Sequence, residues 1–472
     1  MGLLMVSLFS CEDERYMNSP DAQLRFSADT VMFDTIFTTV GSTTQHLKVI
    51  NPYNDKILIQ RIRLAGGDLS NFRMNVNGIP GNEIFDVEIP ARDSIYIFVE
   101  VTIDPNGQSL PMVVKDSIVF TTNAKIQDVD LIAWGQDFHL IRNAVIKTTT
   151  WKSDKPYLVY NYAYIDTLQT LTIEPGARIF FHKGAGLYVK GNLLVNGTYE
   201  NQVWFQADRM EDSYKNIPDQ WNGILLFSGS KGNVFNYANI RNANIGLQVG
   251  TIEHDGFASV TLANTKIENM AYAGIFALKS KVTAYNSLVA NCGFYAAALL
   301  VGGEYEFYHT TIANYWGSYS RKPRKTASLV LSNTLIVSKA DGTEVKYVGD
   351  LNKAHFGNCI IFGNNTAELE LGKTQDKAFN YFFDHCILQV PDTFNISDRS
   401  HYVSVFKGKQ YDPKFIDPAV KFNYALDTLS PAKDVGSETY SRLFPYDFNG
   451  KDRTADKGPD LGAFERVEKK KE

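Results

Sequence analysis

Cysteine is scarce, four in 472 residues, and so is proline, at 16. After Cys11 only Cys292, Cys359 and Cys386 remain, an odd number spread over a long chain, so no disulfide framework is implied. They read as small buried hydrophobes. An excess of cations is also missing: Lys and Arg total 47 against 52 Asp and Glu, a formal charge of -5. No global field would recruit nucleic acid. No apolar run approaches the roughly 20 residues needed to span a bilayer as a helix. With 44% hydrophobic and 21% charged residues, the chain is neither mainly disordered nor mainly embedded in lipid. What is abundant is Phe (30), Tyr (25) and Gly (34), a composition of sheets joined by tight turns. A chain this long divides into two or three domains.

The first ten residues, Met1 to Ser10, are apolar and read as a processing segment. Leu8-Phe9-Ser10-Cys11 resembles the bacterial lipobox, and the resemblance implies lipidation at Cys11. The following Glu12-Asp13-Glu14 resembles the export signal of Bacteroidetes lipoproteins displayed on the outer face of the outer membrane. Residues 11–23 then serve as a tether. Each buried CH₂ of the acyl chains contributes about 0.8 kcal/mol to anchoring, so no transmembrane helix is required.

Residues 24–142 show seven short apolar runs, among them His46 to Ile50, Ile95 to Val101 and Val129 to Ile132. Turn signals such as Asn51-Pro52, Asn77-Gly78 and Pro105-Asn106-Gly107 separate them. The alternation Ile95, Ile97, Val99, Val101 turns one face inward. The pattern fits an antiparallel sandwich, and the order of its turns resembles the immunoglobulin-like domains that precede other modules in surface proteins.

Between residues 143 and 411 a repeat dominates. Tyr237 to Ile240, Asn264 to Ile267, Asn286 to Val289, His309 to Ile312, Asn333 to Ile336, Asn358 to Ile361 and His385 to Leu388 superimpose at separations of 27, 22, 23, 24, 25 and 27 residues. A spacing that wanders in this way excludes heptads, but a solenoid of stacked strands absorbs it in loops. The fourth position is always aliphatic and the second always small, so both point inward. Asn242, Asn269, Asn291 and Asn314, two residues past the aliphatic file, read as a ladder of turn residues. Nine or ten coils would make a rod of roughly 45 Å. Leu171 to Ala177 and Trp221 to Ile224 resemble the opening of right-handed parallel β-helices, which implies an all-β fold of sandwich followed by β-helix. Asp447 to Arg453 and Pro459 to Glu465 resemble the terminal motif of bacterial surface β-helix proteins. Residues 412–472 are therefore expected to cap the open end of the rod, with Arg453 paired to Asp447, Asp460 or Glu465.

Function is less legible. A glycosidase needs converging carboxylates. From Gly223 to Leu331 the acids are only Glu253, Asp255, Glu268, Glu304 and Glu306. His309 and His385 occupy turn positions of the repeat, and neither a metal-ligand cluster nor a cofactor motif is recognisable. Binding is better provided for. The insertion around Tyr315, Trp316, Tyr319, Arg321, Lys322, Arg324 and Lys325 combines aromatic rings with cations suited to sugars or a protein interface, and Tyr214 marks a second insertion. The expectation is a lipid-anchored, non-catalytic binding or scaffold subunit at the outer membrane, beside an integral complex for nutrient import or membrane assembly, with polysaccharide as a candidate ligand. The alternative is a carbohydrate-active lyase or hydrolase using Glu253, Asp255 or Glu268.

Overall fold

The computed structural model describes residues 15–38, 41–104, 112–252, 256–317 and 322–467. Cys11, Tyr319, Arg321, Glu253 and Asp255 lie outside the described residues. The chain divides into two compact units, the first ending at Phe138 and the second beginning at His139.

The first unit contains two five-stranded sheets around one apolar core. One sheet orders Arg25–Phe26, Gln45–Ile50, Ser94–Val101, Phe72–Val76 and Ile79–Pro80; the other orders Thr30–Phe37, Lys125–Gln136, Met112–Thr122, Ile57–Leu64 and Glu83–Ile89. Pairing is antiparallel except between Thr30–Phe37 and Lys125–Gln136, which run parallel. Asn77 and Gly78, both at positive φ, turn the short hairpin between Phe72–Val76 and Ile79–Pro80. Part of the expected tether is packed rather than loose: Tyr16 bridges to Lys56, and Ala22 is buried in the core. Its apolar residues find a place along the sheet edge.

The second unit is a 26-stranded sheet whose strands pair with strands one coil away, in parallel, forming three files of a β-helix-like coil. In the third file, Ala238–Arg241, Lys266–Met270, Leu288–Cys292, Thr311–Asn314, Ile360–Gly363 and Ile387–Leu388 follow one another. Ile240, Ile267, Val289, Ile312, Ile361 and Leu388 are in register and buried, as the repeat requires. The second file carries a vertical stack of rings, Phe307 on Phe356 at 5.1 Å and Phe356 on Phe383 at 4.8 Å. Loop residues Phe394 and Ile396 pack against the core beside its last rungs.

Six consecutive turns into the third file share one backbone bend. Tyr237, Asn264, Asn286, His309, Asn358 and His385 adopt positive φ, where asparagine is favoured among residues with a side chain. In the last five the next residue donates to the carbonyl two positions back: Thr265 to Ala263, Ser287 to Tyr285, Thr310 to Tyr308, Cys359 to Gly357 and Cys386 to Asp384. That is why the column is small and polarisable. On leaving the file, the Asn269 amide donates to Asn242 at 2.9 Å and the Asn291 amide to Asn269 at 3.1 Å, the expected ladder, but Asn314 departs from it and donates to the Cys292 carbonyl at 2.8 Å.

One expected rung is absent from the stack. Ile312 pairs directly with Ile361, and Thr334–Ser338 forms an antiparallel hairpin with Glu344–Val348, leaving Ile336 exposed. Asn333 does not take the positive φ of its counterparts, and Asp341-Gly342 turns the chain back. A turn signal inside the apparent coil marks the excursion.

The C-terminal segment also departs from expectation. It packs along the outer flank of the third file: Phe415, Tyr424, Leu426, Phe448, Leu461 and Phe464 cover Leu288, Ala290, Ala313, Ile360, Phe362 and Ile387. The apolar outer face of these rungs, which alternation would leave in water, explains the site of docking. Arg453 is fully buried, paired to Glu465 at 3.2 Å and donating to Asn286 at 3.0 Å. The expected knot forms, but it ties a flank.

His309 lies under this brace, with Nε2 within 3.1 Å of both Ser441 Oγ and the Asn358 amide. Burial, aided by Arg453, holds its pKa well below the usual 6.5. The unfolded chain therefore takes up a proton that the folded one refuses, and stability is lost as pH falls through 6.5. His309→Asn, which installs the residue found at Asn286 and Asn358, should preserve the fold. Urea unfolding at a series of pH values should then show a shallower fall in stability below pH 6.5.

Candidate functional site

The side chains best arranged to meet a ligand lie where the chain passes from the third file to the first. After each asparagine of the ladder the backbone bends outward, and Asn244, Tyr272 and Phe294 fall on successive coils, linked by Tyr272 N–H to Asn244 O and Phe294 N–H to Tyr272 O, both 2.9 Å. Tyr272 and Phe294 have ring centroids 5.0 Å apart, Phe276 lies 5.8 Å from Tyr272, and Tyr295 meets Tyr272 edge-on at 5.9 Å. Phe294 is 49% exposed. The Trp316 indole approaches Gly293 on the preceding coil so closely that a Cβ there would stand 3.3 Å from it. The corner therefore presents a shelf of rings, held from beneath by strand pairing.

One coil earlier along the same corner is a cleft of about 250 Å³. Its floor is Gln206, Arg241 and Asn242, and its wall is the insertion carrying Arg209, Asp212 and Lys215. Arg241 donates to the Lys215 carbonyl and to Asn216 Oδ1, both at 2.9 Å, and so ties the insertion to the floor. Tyr214 is spent within the insertion, its ring 3.6 Å from the Arg209 guanidinium, which also pairs with Glu211.

Glu268 stands beside Arg241 on the next rung and forms no hydrogen bond or ion pair among the described residues. Desolvation raises its pKa above the usual carboxylate value, against the pull of Arg241 and Lys266. The buried Tyr424 hydroxyl, which senses the Glu268 charge, is likewise without a hydrogen-bond partner. Glu304 and Glu306 are ion-paired with Lys281 and Lys353 on another flank.

The sequence-selected insertion after Asn314 is partly structural. Tyr315 packs against Phe415 and Tyr424, and Arg324, 5% exposed, lies against Glu368 with contacts of 2.6 and 2.7 Å. Neither is free for a ligand, because each fills the seam under the C-terminal segment or the coil. Lys322 and Lys325 are exposed. Tyr272, Phe276, Phe294 and Tyr295 were missed. Tyr272 and Phe294 stand five residues past Ile267 and Val289, an aromatic recurrence that could have revealed them. Among the described residues no group of three or more His, Cys, Asp or Glu gathers to hold a metal.

No family model and no curated protein matches the chain. Among solved structures it is similar to a family 123 glycoside hydrolase from Clostridium perfringens, studied for glycolipid glycan hydrolysis, at 8% identity and a TM-score of 0.18, over 26% of this chain and 30% of that one. It is also similar to the Agl-KA catalytic domain at 10% identity and a TM-score of 0.32, over 78% and 76%. Likenesses this distant say nothing of activity, and the site has to be read from its own residues.

Proposed function

We propose that this is a lipid-anchored surface protein of the Bacteroidetes outer membrane, with an immunoglobulin-like sandwich and a right-handed coil, that binds glycan as a subunit beside an integral membrane complex. The observation that carries the binding role is the aromatic shelf of Tyr272, Phe276, Phe294 and Tyr295, with Phe294 half in water. Rings held at hydrogen-bonded bends between paired strands can stack on sugar faces at little cost in conformational entropy. The address rests on the residues around Cys11.

A second reading is favoured by one group. Glu268, desolvated and without a hydrogen bond, has the raised pKa of a proton donor, as a carbohydrate-active enzyme would need. One experiment separates the two. The full chain is incubated with a panel of neutral and acidic polysaccharides, and retention in affinity gels is measured together with new reducing or unsaturated ends. Retention that falls about tenfold in Phe294→Ala, without cleavage, is expected. Unchanged retention would sink the binding role, and cleavage by the native chain that vanishes in Glu268→Gln would replace it with the catalytic one.

A further inference from the structure

We infer that the cleft under the 208–220 insertion is an anion subsite, and that the glycan taken by the shelf is an acidic polysaccharide whose carboxylate or sulfate group enters it. The inference rests on the glycan-binding reading and specifies its substrate class.

Three cations line the cleft, Arg209, Lys215 and Arg241, with one acid, Asp212; Glu211 offsets Arg209 and Glu268 stands beside Arg241, so Lys215 is, among the described residues, the cation without a paired carboxylate. Arg209 and Arg241 are anchored, by Glu211 and Tyr214 in one case and by Lys215 O and Asn216 in the other, so their charge is held in place before a ligand arrives. The Lys215 ammonium is exposed and has no hydrogen bond or ion pair among the described residues. Gln206 and Asn242 supply amides at the floor. A guanidinium held by the insertion, Arg241, and an exposed ammonium, Lys215, suit an oxyanion that arrives attached to something larger.

Position completes the case. Asn242 belongs to the turn ladder, and Tyr272 and Phe294 follow on the next two coils of the same corner. At about 4.8 Å per coil the cleft and the exposed ring stand roughly 10 Å apart along the solenoid. A polymer following that corner would stack a sugar on Phe294 while a charged substituent further along the chain enters the cleft.

The test compares polygalacturonate and a sulfated glycan with uncharged dextran, with sodium sulfate as the free-anion probe, using calorimetry on the full chain. Lys215→Glu is the variant, because this exposed side chain holds nothing in the fold; Phe294→Ala reports the shelf separately. Acidic polymers should bind more tightly than dextran, and Lys215→Glu should weaken them about fivefold while leaving dextran unchanged. Added salt should act in the same direction. Equal binding of acidic and neutral polymers, lost together in Phe294→Ala but indifferent to Lys215→Glu, would overturn the cleft and leave the shelf standing. Sulfate competing as strongly as the polymer would overturn the polysaccharide as the source of the anion. Retention of no polymer would overturn the glycan-binding reading, and sulfate binding that disappears in Lys215→Glu would then identify the cleft as a site for a free anion, against the substrate class inferred here.

Discussion

Replacing Arg324 with alanine should lower the stability of the solenoid by about 3–5 kcal/mol, the range for breaking a buried ion pair from one side. Glu368 is fully buried and accepts from Arg324, the Ser328 N–H at 2.9 Å, the Ser328 hydroxyl at 2.6 Å and the Asn365 N–H at 2.7 Å. Without the guanidinium, its charge stays in a site closed to bulk solvent. Lys325→Ala, one residue on and exposed, should change stability by less than about 0.5 kcal/mol. Urea midpoints read from the solenoid transition decide the matter. Equal, small effects would return Arg324 to the pool of ligand-binding candidates. A large difference assigns it to the seam.

A second large loss is expected from Gly223→Ala. Gly223 sits in the first file at φ +119, and a Cβ there would stand 1.6 Å from the Ile245 carbonyl oxygen of the next coil. Strain and overpacking together should cost about 3 kcal/mol or more. Gly184→Ala provides the comparison, since Gly184 also has positive φ but nothing within 4 Å of the added carbon. It should lose only about 1–2 kcal/mol. Thermal unfolding of both variants, followed by far-UV circular dichroism, would show whether close approach of successive coils or backbone conformation alone governs the first file. Matching losses would exclude the clash.

The interior of the solenoid was readable because stacking makes each inward position obey its neighbours above and below. Ile267, Val289 and Ile312 had to be aliphatic, and the residue at the preceding bend had to tolerate positive φ. Local pattern misled at Asn333 to Ile336, where a hairpin satisfies the same mixture of small and aliphatic residues without stacking. That Arg453 would pair within its motif, with Asp447, Asp460 or Glu465, was visible, but neither the choice of Glu465 nor the place where the pair docks was. The signal for that place was distributed over Leu288, Ile360 and Ile387, one on each of three separate coils, all at an outward position. The insertion attracted attention because its aromatics and cations are contiguous in sequence. The shelf escaped notice because its rings come together only after the chain has completed a full circuit.

The C-terminal brace has a consequence for biogenesis. Arg453 reaches Asn286 across 167 residues of chain, so a polypeptide leaving the ribosome completes the rungs from Leu288 to Ile387 before the segment that shields them exists. During that interval a greasy strip along one side is open to chaperones. Release of the last sixty or so residues closes it. Messages truncated before Arg453 should therefore yield products that are sticky and quickly degraded, even with every coil present.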